Sequence, residues 1–135
     1  MQEGGKTMRS LTIIVTMLLL VIGATYAADT ITKKAGQYSV EVTIDKNPPV
    51  TGKNNVDIRV KDKMGMAVTD AKATVEYSMP AMPGMPAASY KANTVLSGDR
   101  YKAVIEPSMG GSWNVAVKVS RAGKTETARF TIDVR

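Results

Sequence analysis

Apolar and polar residues alternate along most of the chain after residue 36. The clearest case is residues 37–44, where every second side chain is apolar and the intervening ones are polar or charged. Period-two alternation places the apolar side chains on one face of a β-strand and the polar ones on the other. The same pattern predicts further strands over residues 56–61, 71–79, 89–96, 101–105, 113–120 and 128–134.

Turn sequences separate these runs at regular spacing. Ser97-Gly98-Asp99 and Arg121-Ala122-Gly123-Lys124 are typical examples, and no segment between them shows a convincing helical period. About seven short strands with one apolar face each predict an all-β fold, an immunoglobulin-like antiparallel β-sandwich over residues 37–135. A small β-barrel is the competing prediction. Trp113 is the single tryptophan, and we expect it at the centre of the core.

The first 27 residues have the layout of a secretory signal peptide. Lys6 and Arg9 form a positive region, and a nearly uninterrupted apolar run covers residues 11–22. Thr25-Tyr26-Ala27 then places small residues at the two positions that a signal peptidase reads. A short polar lead over residues 28–36 would then precede the sandwich. The alternative is an uncleaved anchor, although the apolar run is shorter than the roughly 20 residues of a comfortable membrane span. The pattern predicts a periplasmic or secreted protein without a membrane span after cleavage.

Composition narrows the classes of function. The 135-residue chain has a net charge of +6, but its basic residues are scattered, which argues against a nucleic-acid partner. It contains no cysteine and no histidine, so packing alone must hold the fold, and the commonest nucleophile, general base and metal ligand are missing. No glycine-rich phosphate loop or pair of carboxylates stands out. We therefore predict that the protein is not an enzyme.

One segment, residues 79–86, carries a possible chemistry. Met79, Met82 and Met85 are spaced three apart, and each precedes a proline. The residue before proline is restricted to extended conformations, so all three should be extended. Pro83-Gly84 is the preferred centre of a type II turn, whose ends lie less than about 7 Å apart. The sequence therefore predicts that Met82 and Met85 form a close pair.

Thioethers are soft ligands and select soft ions, Cu(I) first, with Ag(I) similar. Met79 is the predicted third ligand, and Met109, in the loop before Trp113, is the predicted fourth. Met64 and Met66 are placed at the other end of the third strand and are not expected in this site. The alternative is that the same segment only closes one end of the sandwich or docks onto an envelope protein.

The third predicted strand, the methionine segment and the strand that begins near Trp113 together resemble the YtkA-like domain family. The matching positions are Gly65, Ala73, Val75, Met79, Pro80, Met82, Met85, Gly111 and Trp113. The resemblance covers residues 37–135 and implies an extracytoplasmic β-sandwich, related to modules that accompany copper-handling and heavy-metal efflux proteins. The methionine segment is also similar to the Cu(I) loops of periplasmic copper-resistance β-sandwiches. Those proteins add histidines for Cu(II), and this chain has none. A copper-handling or envelope partner is implied in the same way.

Overall fold

A computed structural model describes residues 30–135, which form two antiparallel β-sheets; the predicted signal peptide lies outside these residues. The strands are β1 (Thr30–Ala35), β2 (Tyr38–Ile44), β3 (Asn54–Lys61), β4 (Lys72–Met79), β5 (Ala88–Asn93), β6 (Val95–Ser97), β7 (Arg100–Ile105), β8 (Gly111–Arg121) and β9 (Lys124–Val134). Within this part of the chain, no helix has the length and apolar character that a membrane crossing requires.

The two sheets pack as a sandwich, which confirms the predicted fold class. The first sheet has the strand order β1-β2-β3-β7-β6, and the second has the order β5-β4-β8-β9. The chain passes from one sheet to the other after β3, after β5 and after β7. Each crossing places side chains from distant parts of the sequence on the same side of one core.

The alternation along the strands produces that core. In β2, Tyr38, Val40, Val42 and Ile44 are buried, and the residues between them are only partly buried. Trp113 is fully buried among the apolar side chains of both sheets, as predicted. A fully buried large apolar side chain contributes about 1.5–3 kcal/mol through removal of its surface from water.

Two elements differ from the sequence prediction. Thr30–Ala35, which the sequence placed in a polar lead, forms the edge strand β1 and pairs with β2. The single strand predicted over residues 89–96 is instead β5 and β6, which belong to different sheets. Thr94 lies between them, and its hydroxyl donates a hydrogen bond of 2.6 Å to the carbonyl of Ala73. This bond fixes the point where the chain changes sheets.

The loop between β2 and β3 is held by one buried polar side chain, Asn54. Its amide nitrogen donates to the carbonyls of Val50 and Gly52 at 2.7 and 3.0 Å, and its Oδ1 accepts from the backbone N–H of Val50 at 2.9 Å. The loop also binds the C-terminus, because the N–H of Arg135 donates to the carbonyl of Pro49 at 2.9 Å. The loop is thereby fixed at the end of the sandwich where β9 ends.

The turn between β8 and β9 contains a residue in an unfavourable conformation. Ala122 and Gly123 both have positive φ, 51° and 77°, as a type I′ turn requires. Asparagine tolerates this conformation better than alanine, so we expect Ala122→Asn to raise the free energy of unfolding by about 0.5–1 kcal/mol. Denaturant unfolding measures the change. Ala122→Val is the control and should lower stability, and an asparagine variant less stable than the parent would contradict the expectation.

Candidate metal centre

The loop that joins β4 to β5, residues 80–87, is a short hairpin, and we call it the Met/Pro loop. The N–H of Met82 donates to the carbonyl of Met85 at 3.0 Å, and the N–H of Met85 donates to the carbonyl of Met82 at 2.8 Å. Gly84, at the second central position, has a φ of 79°, as a type II turn requires. The predicted turn and the close approach of the two methionine backbones are therefore confirmed.

This backbone pairing also sets the direction of the two side chains. Residues that exchange both hydrogen bonds in an antiparallel pair have Cα atoms about 5.5 Å apart. Their side chains point to the same face of the hairpin. Met82 and Met85 are 45% and 42% exposed. The two methionine side chains therefore start from neighbouring positions on one face of the hairpin, and solvent reaches both.

Met79 has a different environment from the other two methionines of the segment. It is the last residue of β4 and is only 4% exposed. A Cβ atom placed on Gly111 would lie 3.0 Å from the Met79 methyl carbon, so this methyl group covers Gly111 at the start of β8. The structure therefore places Met79 in the core below the Met/Pro loop, where its side chain contributes to packing.

Met109 lies at the same end of the sandwich, in the loop between β7 and β8. Its side chain is partly buried and packs against the core. Its carbonyl accepts a hydrogen bond of 3.0 Å from Nε1 of Trp113. The buried indole thus fixes the backbone of the loop that carries Met109, and it holds this loop near the end of β4.

Three aromatic rings lie beside the Met/Pro loop. The ring centroids of Tyr77 and Tyr90 are 5.5 Å apart, and those of Tyr90 and Trp113 are 6.0 Å apart. Tyr90 belongs to β5, the edge strand that follows the loop, and is partly exposed. Sequence reasoning did not identify Tyr90 as part of this region. Its position just after the methionine segment, paired with Tyr77 across the strands, was the available signal.

Met64 and Met66 are at the opposite end of the sandwich, as predicted. They lie in the loop that follows β3, and both are well exposed. The backbone N–H groups of both residues donate to Oδ1 of Asp62, at 2.9 and 3.1 Å. They belong to a separate turn and do not contribute to the region around the Met/Pro loop.

The Met/Pro loop and the residues that flank it in sequence carry no charge. Residues 79–90 contain no charged side chain. Among residues 30–135 there is no group of three or more histidine, cysteine or acidic side chains that could hold a metal ion. The pKa of Arg121 is raised, first by a hydrogen bond with Tyr38 and then by one with Asp70, but this side chain lies at the opposite end. Within residues 79–90 the side-chain donors are therefore the thioethers and the hydroxyls of Ser89 and Tyr90, and the thioethers are the soft ones.

Fold and site together define a small β-sandwich domain with a thioether-bearing loop at one end. The chain belongs to the YtkA-like family, whose model matches residues 32–118. This match includes the Met/Pro loop and most of β8. Among curated proteins, no match to the chain is found.

A solved structure with the same fold is the PmoD soluble domain from Methylocystis sp. ATCC 49242 (Rockwell). The similarity covers 77% of this chain and 97% of that one, with a TM-score of 0.53 and 14% sequence identity. At this level of identity the similarity supports the arrangement of the strands and says nothing about ligands.

Proposed function

We propose that the protein is a non-catalytic periplasmic or secreted domain that binds a soft metal ion, Cu(I), through the Met/Pro loop. The observation that supports this proposal is the Pro83-Gly84 turn, which pairs the backbones of Met82 and Met85 and leaves both side chains partly exposed. Met79 and Met109, the further ligands predicted from the sequence, lie at the same end, where both pack against the core. The signal-peptide pattern of residues 1–27 supports the localisation.

The donor chemistry supports Cu(I) over harder ions. Thioethers favour soft ions, and the chain has no histidine or cysteine that would favour Cu(II) or zinc. A thioether has no proton to lose near neutral pH, so binding by methionines alone should be nearly independent of pH between about 5 and 8. The absence of histidine and cysteine also supports a non-catalytic role. The partner proposed for this domain is a copper-handling or envelope protein.

The proposal predicts that Met82→Leu/Met85→Leu weakens Cu(I) binding. Leucine keeps the apolar volume but lacks the sulfur, so the affinity of the full chain for Cu(I) should fall at least tenfold, which corresponds to about 1.4 kcal/mol. Anaerobic titration against a competing chromophoric chelator measures this affinity. The matched control is Met64→Leu/Met66→Leu, which removes two exposed thioethers from the opposite end and should leave the affinity unchanged.

Equal affinity of the parent and the Met82→Leu/Met85→Leu variant would contradict the proposal. The second candidate function, a docking module without a metal, is favoured by the partly exposed side chains of Met82, Met85 and Tyr90 in a segment without charged residues. Leucine substitution preserves such a surface, so partner binding would survive it. Met82→Ser/Met85→Ser would abolish partner binding under this second function.

A further inference from the structure

The number of donors that the chain itself can bring to the Met/Pro loop is small. Met82 and Met85 offer two exposed thioethers. Residues 79–90 add no charged side chain, and the whole sequence has neither histidine nor cysteine. A third soft ligand from this chain at this end of the sandwich would therefore have to come from Met79 or Met109.

Met79 is poorly placed to act as that ligand. Its side chain is buried, and its methyl group covers Gly111 at the start of β8. Moving the sulfur to an ion on the exposed face of the hairpin would empty its space in the core, and cavities in cores are destabilising. Packing thus holds Met79 in the position that it occupies without a metal.

Packing also holds Met109 in its position. Its side chain packs against the core, and its backbone is tied to the buried Trp113 through the hydrogen bond from Nε1. An ion bound by Met82 and Met85 therefore keeps a coordination position that faces solvent. The segment that carries it, residues 79–90, has no charged side chain and ends in the partly exposed Tyr90, a composition that suits contact with another protein.

We infer that Met82 and Met85 form an open two-thioether site, and that an imidazole from a histidine of a second protein completes it. This inference rests on the proposed function. Imidazole suits copper, and unlike a free thiolate it is not lost to disulfide formation in an oxidising compartment. The step is a ligand addition: a bond from neutral imidazole nitrogen to Cu(I) forms at the open position, any solvent molecule held there leaves, both thioether bonds remain, and copper stays Cu(I). A protonated imidazole would first release its proton to solvent.

The experiment uses the full chain, Cu(I) under anaerobic conditions, and free imidazole as the probe for the partner's side chain. X-ray absorption should show two sulfur neighbours, with a nitrogen neighbour added when imidazole is present. Imidazole should raise the apparent affinity for Cu(I) at least tenfold at pH 8. This gain should disappear as pH falls to 5, because imidazole is protonated below about pH 6.5 and a protonated nitrogen cannot bind the metal.

Three variants make the result specific. Met82→Leu/Met85→Leu should show no gain in affinity with imidazole, which excludes a simple copper–imidazole complex in solution. Met79→Leu and Met109→Leu should behave as the parent does. N-acetylmethionine, tested in place of imidazole, should give a smaller gain, and an equal gain would overturn the assignment of the donor as imidazole.

Other outcomes overturn either the inference alone or both proposals. If the chain binds Cu(I) through three or four of its own sulfurs, and Met79→Leu or Met109→Leu weakens binding as Met82→Leu/Met85→Leu does, the site is closed. That result would overturn the open site and leave the proposed function intact. If the chain does not bind Cu(I) at all, the proposed function fails and the inference fails with it.

Discussion

Replacement of Trp113 by alanine is expected to lower the free energy of unfolding by about 3–5 kcal/mol, the usual cost of removing a buried aromatic side chain. Trp113 is completely buried, and its ring lies 5.9 Å from that of Tyr77 between the two sheets. The total stability of a domain of this size is about 5–15 kcal/mol, so the variant should be partly unfolded or strongly sensitive to denaturant. Urea unfolding followed by circular dichroism measures the loss.

Two controls separate packing from hydrogen bonding. Trp113→Phe keeps a ring in the core but removes the Nε1–H that binds the carbonyl of Met109, and it should cost about 1–3 kcal/mol. Tyr90→Ala removes a partly exposed ring of the same cluster and should cost less than Trp113→Ala. A Trp113→Ala variant that unfolds at the same urea concentration as the parent would contradict the central position of this residue.

Gly111→Ala is expected to cost about 2–4 kcal/mol, for two reasons that add. Gly111 has a φ of 127°, which side chains rarely adopt and which costs about 1–3 kcal/mol. The new methyl group would also lie 3.0 Å from the methyl carbon of Met79, so the Met79 side chain would have to shift. Thermal unfolding of the variant gives the size of the effect.

Gly98→Ala is the matched control for this prediction. Gly98 also has a positive φ, 63°, but no atom lies within 4 Å of the place its Cβ would take. We expect it to cost only the backbone part, about 1–2 kcal/mol. Equal losses for the two variants would show that Met79 does not restrict the space at Gly111.

The sequence predicted the elements whose alternation is complete. β2 and β4 were located from their apolar faces, because burial on one side of a sheet requires that pattern. β1 was missed because its residues are mostly exposed, as expected for an edge strand rich in threonine and lysine. The division between β5 and β6 was missed because residues 89–96 contain no turn signal, and a tertiary hydrogen bond from Thr94 fixes the crossing.

The same distinction between local and tertiary causes applies to the candidate site. The Pro83-Gly84 turn follows from local backbone rules, so the pairing of Met82 with Met85 was predictable. The burial of Met79 depends on the absence of a side chain at Gly111, which lies 32 positions away in the sequence. No local pattern reveals that contact. For this reason the sequence predicted Met79 as a third ligand beside the Met82–Met85 pair, whereas the structure gives its side chain a place in the core.

The two ends of the described chain leave the sandwich at one end, which matters for how the domain can be attached to other structures. Thr30 pairs with Thr43 near the end of β2, and Arg135 is bound to the loop that Asn54 holds. This is the end that carries the Met/Pro loop, although the loop lies beside β5, away from β1 and β9. If the domain were attached to a membrane or to another domain through Thr30 or Arg135, Met82 and Met85 would therefore lie on the side that faces the attachment point. The Ala122-Gly123 turn faces the other way, and a label or surface linkage placed there would leave the methionines open to an approaching partner.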